Sequence, residues 1–345
     1  MKNIALLIGD IHIYWHGVFM AAAILLAILT SFILCYALKK GIKDDLLNCI
    51  LLSVPVAFLS SRLLYWSCSI EEYKSLSDHL NFTRGGYALY GAIFGVLLAG
   101  AILRIVNKQF RSGATFDCLA AGGALGIVLG RLSSYFSGDN IGIVFKSEKY
   151  HFFPLTIYNE HRGEWVFAVF NFEALFELII FFVLCVYFVR NNNGREEMKG
   201  KDGDIALLFM LLHGCSQGLF DSMHSDALKF MNNSFVRLQQ ILGAVCFTVV
   251  TVIFVVRSLK ANGFKDYHVV SSLVPLGAVG ITLLMELNRI SYHNFVRNYM
   301  VIFLCMLAVA INGICIYQTT LRKESDHVNR RKEKRIEKDV KENQL

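Results

Sequence analysis

Charge is scarce in this chain. Asp, Glu, Lys and Arg fill only 18% of 345 positions, where a soluble domain carries about 25%. That shortage excludes an ordinary water-solvated surface. Paired cysteine motifs are also absent: none of the nine cysteines sits in a Cys-x-x-Cys pair, so neither a zinc site nor a disulfide framework is indicated, and no metal or other cofactor is expected. They read as small apolar packing residues. No small-residue cleavage site precedes Asp10, and Met1-Lys2-Asn3 offers one basic residue, so a removed signal peptide is not expected. There is no internal repeat and no matched pair of broken helices, which argues against a repeat-built transporter.

What is present is apolar sequence, 55% of the chain, gathered in long runs. A stretch of roughly 17–25 apolar residues crosses about 30 Å of hydrocarbon as a helix, and a helix satisfies its own backbone there. Barrel strands would alternate at every second residue, and these runs do not. The runs predict nine spans: Ile13–Leu38, Leu46–Trp66, Ala88–Leu103, Phe116–Leu132, Phe167–Val189, Ile205–Phe220, Leu238–Val256, Val269–Leu287 and Met300–Thr319. The fold class is therefore an all-α integral membrane protein, a polytopic helix bundle. The third, fourth and sixth runs are short and interrupted by glycine.

Lys and Arg set the orientation. They collect after the first span (Lys39, Lys40, Lys43), the third (Arg104, Lys108, Arg111), the fifth (Arg190, Arg195, Lys199, Lys201), the seventh (Arg257, Lys260, Lys265) and in the tail (Arg330, Arg331, Lys332, Lys334, Arg335). The alternate loops mix signs: Glu71, Glu72, Lys74 and Asp78 in one, and Asp139, Lys146, Glu148, Lys149, Glu160 and Arg162 in another. The N-terminus is expected outside and the C-terminus in the cytoplasm. Much of the net charge of +7 lies in the tail, where Glu333, Glu337, Asp339 and Glu342 interleave with the lysines. That pattern reads as a solvated helix near anionic headgroups, and no nucleic-acid partner is expected.

Ionisable groups inside spans are costly and mark candidate sites. Arg62 lies with Tyr65 near the outer end of the second span, and Arg131 ends the fourth. Glu173 and Glu177 share a face of the fifth, and His213, Gln217 and Asp221 recur every four residues on the sixth. Each has a plainer reading: arginines snorkelling to the interface, carboxylates in structural ion pairs, a polar stripe gluing helices. Location favours function, because Arg62, Arg131, Asp139, Asp221 and His224 all fall toward the outer face. The glycines from Gly85 to Gly95 permit close backbone approach to a helix or a ligand.

The motifs, in order, resemble those of the prolipoprotein diacylglyceryl transferases over roughly residues 10–258. Tyr14-Trp15-His16-Gly17 is similar to the family's His-Trp-Tyr-Gly, Arg62-Leu63-Leu64-Tyr65 to its Arg-x-x-Tyr, and Gly85-Gly86-Tyr87-Ala88-Leu89-Tyr90-Gly91 to its Gly-Gly-x-x-x-His-Gly. The segment from Gly130-Arg131 through Ser133, Ser134, Ser137-Gly138-Asp139 to Gly142 is similar to Gly-Arg-x-Gly-Asn-Phe-x-Asn-Gly-Glu-x-x-Gly. Phe172-Glu173 and Gln240-Ile241-Leu242 resemble its Tyr-Glu and Gln-Ile-Leu. The resemblance implies a seven-helix core with two extra C-terminal spans, divided as 1–260 core, 261–320 hairpin and 321–345 basic tail. It implies transfer of a diacylglyceryl group from phosphatidylglycerol, or a similar anionic lipid, to a cysteine thiol of a lipoprotein precursor in the bacterial cytoplasmic (inner) membrane.

The resemblance also assigns roles. Arg131 meets the phosphate, supported by Arg62, Ser134, Asp139 and Gln217, and the catalytic set is His16, Tyr90, Arg131 and Asp221. Several positions depart from the family: its third-span histidine is Tyr90, its first-motif tyrosine is His16, its asparagine is Ser134, its catalytic sixth-span arginine falls on Gln217, and the following glutamate is Asp221. Tyrosine and histidine are expected to have exchanged places, with His16 taking the proton, and His213 and His224 are further candidates. The competing reading is a silent lipid-binding or scaffolding homologue.

Overall fold

A computed structural model describes residues 4–9, 11–37, 41–69, 85–160, 162–193, 200–229, 237–287 and 295–342. Among them nine helices are long and apolar enough to cross a membrane: α1 Trp15–Ala37, α2 Lys43–Cys68, α3 Leu89–Val106, α4 Ser112–Leu132, α5 Val169–Asn193, α6 Asp204–Met223, α7 Leu238–Asn262, α8 Asp266–Leu287 and α9 Phe295–Glu342. Each expected span coincides with one helix over most of its length; Ala88 immediately precedes α3, and Leu38 lies outside the described residues. The expectations at Lys39, Lys40, Glu71, Glu72, Lys74, Asp78, Arg195 and Lys199 lie outside the described residues, and for the tail only the helical course of α9 is described.

Two further boundaries differ from the sequence reading. Ile13 and Tyr14 belong to a strand, because β1 Ile4–Ile8 and β2 Ile11–Tyr14 pair as an antiparallel hairpin before α1 begins. Phe167 closes β4 (Glu164–Phe167), which pairs with β3 (Thr156–Asn159) in the α4–α5 connection. A short apolar run is equally compatible with a strand or a helix, so periodicity alone does not place such ends. The last helix continues through the charged tail as one rod of 48 residues, about 72 Å at 1.5 Å per residue.

Apolar side chains point outward along the spans, as lipid requires: Leu25, Leu29 and Ile33 on α1 and Leu51 and Phe58 on α2 are exposed. The inner helix is α6. Its apolar window is 78% buried, whereas the other spans reach 22–44%, and it packs against α4, α5, α7 and α9. Glycine makes the close approaches possible. A Cβ added at Gly95 would lie 2.5 Å from the Ala57 Cα across the α2–α3 contact, and one at Gly214 would lie 2.7 Å from the Gly243 carbonyl across α6–α7.

One end of α6 is fixed from outside its own sequence. Asp117, buried on α4, accepts hydrogen bonds from the backbone N–H groups of Gly203, Ile205 and Ala206 at 2.9–3.0 Å. Those are donors that no intrahelical carbonyl can reach, and the carboxylate also complements the positive helix terminus. Arg257 from α7 pairs with Asp204 at 2.5 Å. The rotation and depth of α6 follow from this anchor.

Candidate functional site

The other end of α6 gathers four segments around Arg131. That residue lies one position before the end of α4, and its side chain is 8% exposed. After the single turn Ser134–Ser137 the chain reverses through Gly138 and Asn140, both at positive φ, +76° and +55°. Asparagine tolerates that region better than most residues. The reversal brings the Asn140 side chain back, so that Arg131 Nη1 donates to its Oδ1 at 3.1 Å while its Nδ2 donates to Ser134 Oγ at 2.8 Å. Asp226 accepts from the Asn140 backbone N–H at 2.8 Å.

The same guanidinium serves α5 and α6. Arg131 Nη2 donates to Gln217 Oε1 at 3.0 Å and lies 3.3 Å from Glu173 Oε1. Glu173 continues the chain of contacts: its Oε2 is 3.2 Å from His224 Nε2, and His224 Nδ1 is 3.7 Å from Asp221 Oδ1. Arg237 Nη1 donates to the Asp221 carbonyl. Burial alone would push the His224 pKa down. Glu173 and Asp221 outweigh it and lift the imidazole to about 9, so it is a cation at neutral pH. Burial raises the Asp226 carboxyl above its usual range.

Three cations (Arg131, His224, Arg237) thus meet three carboxyl groups (Glu173, Asp221, Asp226). Such a site offers an anion directed donors more than a net field. Gln217 and Asn140 matter here because an amide that now accepts from Arg131 can turn and donate to an incoming oxygen. Arg131 Nε and both Asp221 carboxylate oxygens are buried without a hydrogen-bond partner among the described residues. Unpaired buried polar atoms cost free energy, about 1–3 kcal/mol each, and they concentrate here.

The expected site residues divide. Arg131, Ser134, Gln217 and Asp221 come together with Glu173 and His224. Asp139 is exposed, and its neighbour Asn140 reaches the arginine instead. Arg62 is buried and donates to the carbonyls of Gly85 and, at 3.0 Å, Gly86. A Cβ at Gly86 would fall 2.6 Å from the Tyr65 ring, so Arg62 and Tyr65 clamp that glycine turn. His16 and Tyr90 do not meet. His16 is half-buried, with Nδ1 3.3 Å from the Ser133 carbonyl, and lines a cavity of about 370 Å³ with Ile13, Tyr14, Gly17, Phe136 and Ser137. Tyr90 is fully buried, its ring 5.5 Å from that of His213. The imidazole beside Tyr90 is therefore His213, and the geometry does not support an exchange with His16.

Sequence reasoning passed over Asn140, Asp226 and Arg237. Their only signal was a polar residue in a loop between spans, which is common. Asp117 had a clearer one, a carboxylate one residue into an apolar run.

Known proteins agree with the motif order. The family model for prolipoprotein diacylglyceryl transferase matches residues 3–256. A phosphatidylglycerol–prolipoprotein diacylglyceryl transferase of Clostridium kluyveri is 28% identical over 250 residues, covering 71% of this chain and 93% of the relative. One from Streptococcus suis is 28% identical over 273 residues, covering 76% and 94%. One from Clostridium perfringens is 26% identical over 264 residues, covering 75% and 97%. The family match ends within α7 and leaves α8 and α9 beyond it. A match that runs from the N-terminal hairpin through the Arg131 cluster and into α7 leaves one placement: this chain belongs to the prolipoprotein diacylglyceryl transferase family.

Proposed function

We propose that this chain transfers a diacylglyceryl group from phosphatidylglycerol to the cysteine thiol of a prolipoprotein, as a multi-pass enzyme of the bacterial cytoplasmic (inner) membrane. The observation that carries the reading is the buried Arg131 cluster at the end of a membrane-spanning helix. A guanidinium offers a phosphodiester two parallel donors, and donors fixed in a water-poor site stabilise the charge that builds on a leaving phosphate. In this reading Arg131 holds the phosphate, Gln217, Asn140 and Ser134 turn their polar groups to it, and Glu173 and Asp221 orient Arg131 and His224. Arg62 supports the site by fixing the Gly85–Gly86 turn, and Asp139 lies at its outer rim.

The same reading places the Arg131 end of the bundle on the outer face, with the N-terminus outside and the end carrying Arg111, Arg257 and the α9 extension in the cytoplasm. It divides the chain into a transferase core over 1–260, a hairpin over 261–320 and a tail over 321–345. Cysteines introduced at Lys108 and Lys149 test the orientation: only the second should react with an impermeant outside reagent, and the reverse result overturns it.

The reaction is tested by incubating the purified protein with labelled phosphatidylglycerol and a lipobox peptide. The expected result is a peptide heavier by one diacylglyceryl group. Lipid binding without transfer would instead establish the silent lipid-binding homologue.

A further inference from the structure

About one helical turn deeper than Gln217, some 6 Å along α6 at a rise of ~1.5 Å per residue, lies a second polar cluster that the phosphate site does not use. His213 Nδ1 is 2.5 Å from Glu177 Oε1 of α5, and Ser216 Oγ donates to the same oxygen at 3.2 Å. Phe209 stacks on the imidazole at 5.2 Å and 15°, and the Tyr90 ring of α3 stands 5.5 Å away. The ring is thus held between two aromatics and aimed by a carboxylate. His213, Glu177 and Tyr90 are all fully buried.

We infer that His213, oriented by Glu177, is the base that takes the proton from the acceptor thiol. A carboxylate only accepts hydrogen bonds, so Glu177 holds the neutral imidazole's proton on Nδ1 and leaves the lone pair on Nε2. That nitrogen has no hydrogen-bond partner among the described residues, and neither has the Tyr90 hydroxyl or Glu177 Oε2. A glycine on the facing helix widens the spot: a Cβ at Gly243 would lie 3.2 Å from the Tyr90 hydroxyl. Packing or helix gluing alone favours matching such atoms, because each one left buried without a partner is costly.

The step balances on these groups and the two substrates. The S–H proton moves to His213 Nε2. The sulfur pair forms a C–S bond to the glyceryl carbon bearing the phosphate ester, and the C–O bond breaks with its electrons leaving on the phosphate, held by Arg131. The released glycerol phosphate carries the proton away from the imidazole.

This inference rests on the proposed transferase reaction, and the experiment separates the two. Purified His213→Gln is given phosphatidylglycerol and either a cysteine lipobox peptide or its selenocysteine analogue. A thiol with pKa near 8.5 is mostly protonated at neutral pH, whereas a selenol is already ionised there. The expected result is a loss of about 100-fold or more on the thiol, with transfer to the selenol restored to within about tenfold and phosphatidylglycerol binding unchanged. Equal losses on both acceptors, or no loss on the thiol, overturn the role of His213. Failure of the unaltered protein on both acceptors overturns the reaction itself. If His213→Gln does not insert, Glu177→Gln replaces it: kcat for the thiol should fall while KM for phosphatidylglycerol holds, and an unchanged kcat overturns the proposal.

Discussion

The two ends of α6 use the same kinds of residue to opposite purposes. At the Asp204 end, Asp117 receives three backbone donors and Asp204 is paired with Arg257. At the Met223 end, both Asp221 carboxylate oxygens and Arg131 Nε are without a hydrogen bond among the described residues. The first end is a finished structural joint. The second retains buried polar atoms with no hydrogen bond among the described residues, the arrangement expected where a ligand completes the set. Burial is similar at both ends, so it does not distinguish them; satisfaction does.

Changing each end should expose that difference. Arg131→Lys keeps the charge but loses the two-pronged donor, and we expect diacylglyceryl transfer to fall by about 100- to 1,000-fold with insertion and thermal midpoint intact. Unchanged transfer, measured on the lipobox peptide, would make Arg131 a structural residue. Asp117→Ala should do the reverse. It strands three helix-terminal donors and should lower stability by about 3 kcal/mol, read as a drop in unfolding midpoint in detergent, while correctly folded molecules still turn over. A selective loss of turnover with no change in stability would erase the contrast between the ends.

Acidity sharpens the contrast further. The His224 pKa is raised to about 9 from a usual value near 6.5. The favourable contribution of its charge is therefore complete below about pH 6.5 and is lost as pH rises through about 9. Phosphatidylglycerol binding should weaken about tenfold across that alkaline range, and His224→Asn should flatten the profile. A wild-type profile in the variant would place the titration elsewhere.

The smallest effect concerns the hairpin beyond the family match. Gly218 lets α9 close on α6, since a Cβ there would lie 2.8 Å from Met306 Sδ, and Tyr299 donates to the Ser222 carbonyl beside Asp221 at 2.9 Å. Gly218→Ala should cost about 1 kcal/mol by overpacking, visible as a small fall in midpoint and relieved by Met306→Ala. No relief would mean the two sites are not coupled.

Much of this protein was legible before its structure. Long apolar runs gave nine spans, because hydrocarbon imposes a fixed length and leaves the backbone no alternative to a helix. Arg131, Glu173, Glu177, His213, Gln217 and Asp221 stood out because a charge or amide in such a run is expensive. What was illegible is the company each keeps. His16 and Tyr90 looked like exchanged partners, yet α1 and α3 carry them to different places. Asn140 was one loop residue among many until two positive-φ positions turned it back onto Arg131.

By itself the sequence determined the class of solvent, the number of crossings and the list of costly residues, since all three follow from local chemistry summed along a run. Only the tertiary structure decided which helix lies innermost, that Asp117 anchors it, and that Glu173 bridges Arg131 to His224 while Glu177 aims His213. Those choices rest on helix rotation and depth, which close packing at glycines and a cap borrowed from another helix settle, and each depends on a partner helix that the span's own sequence does not name.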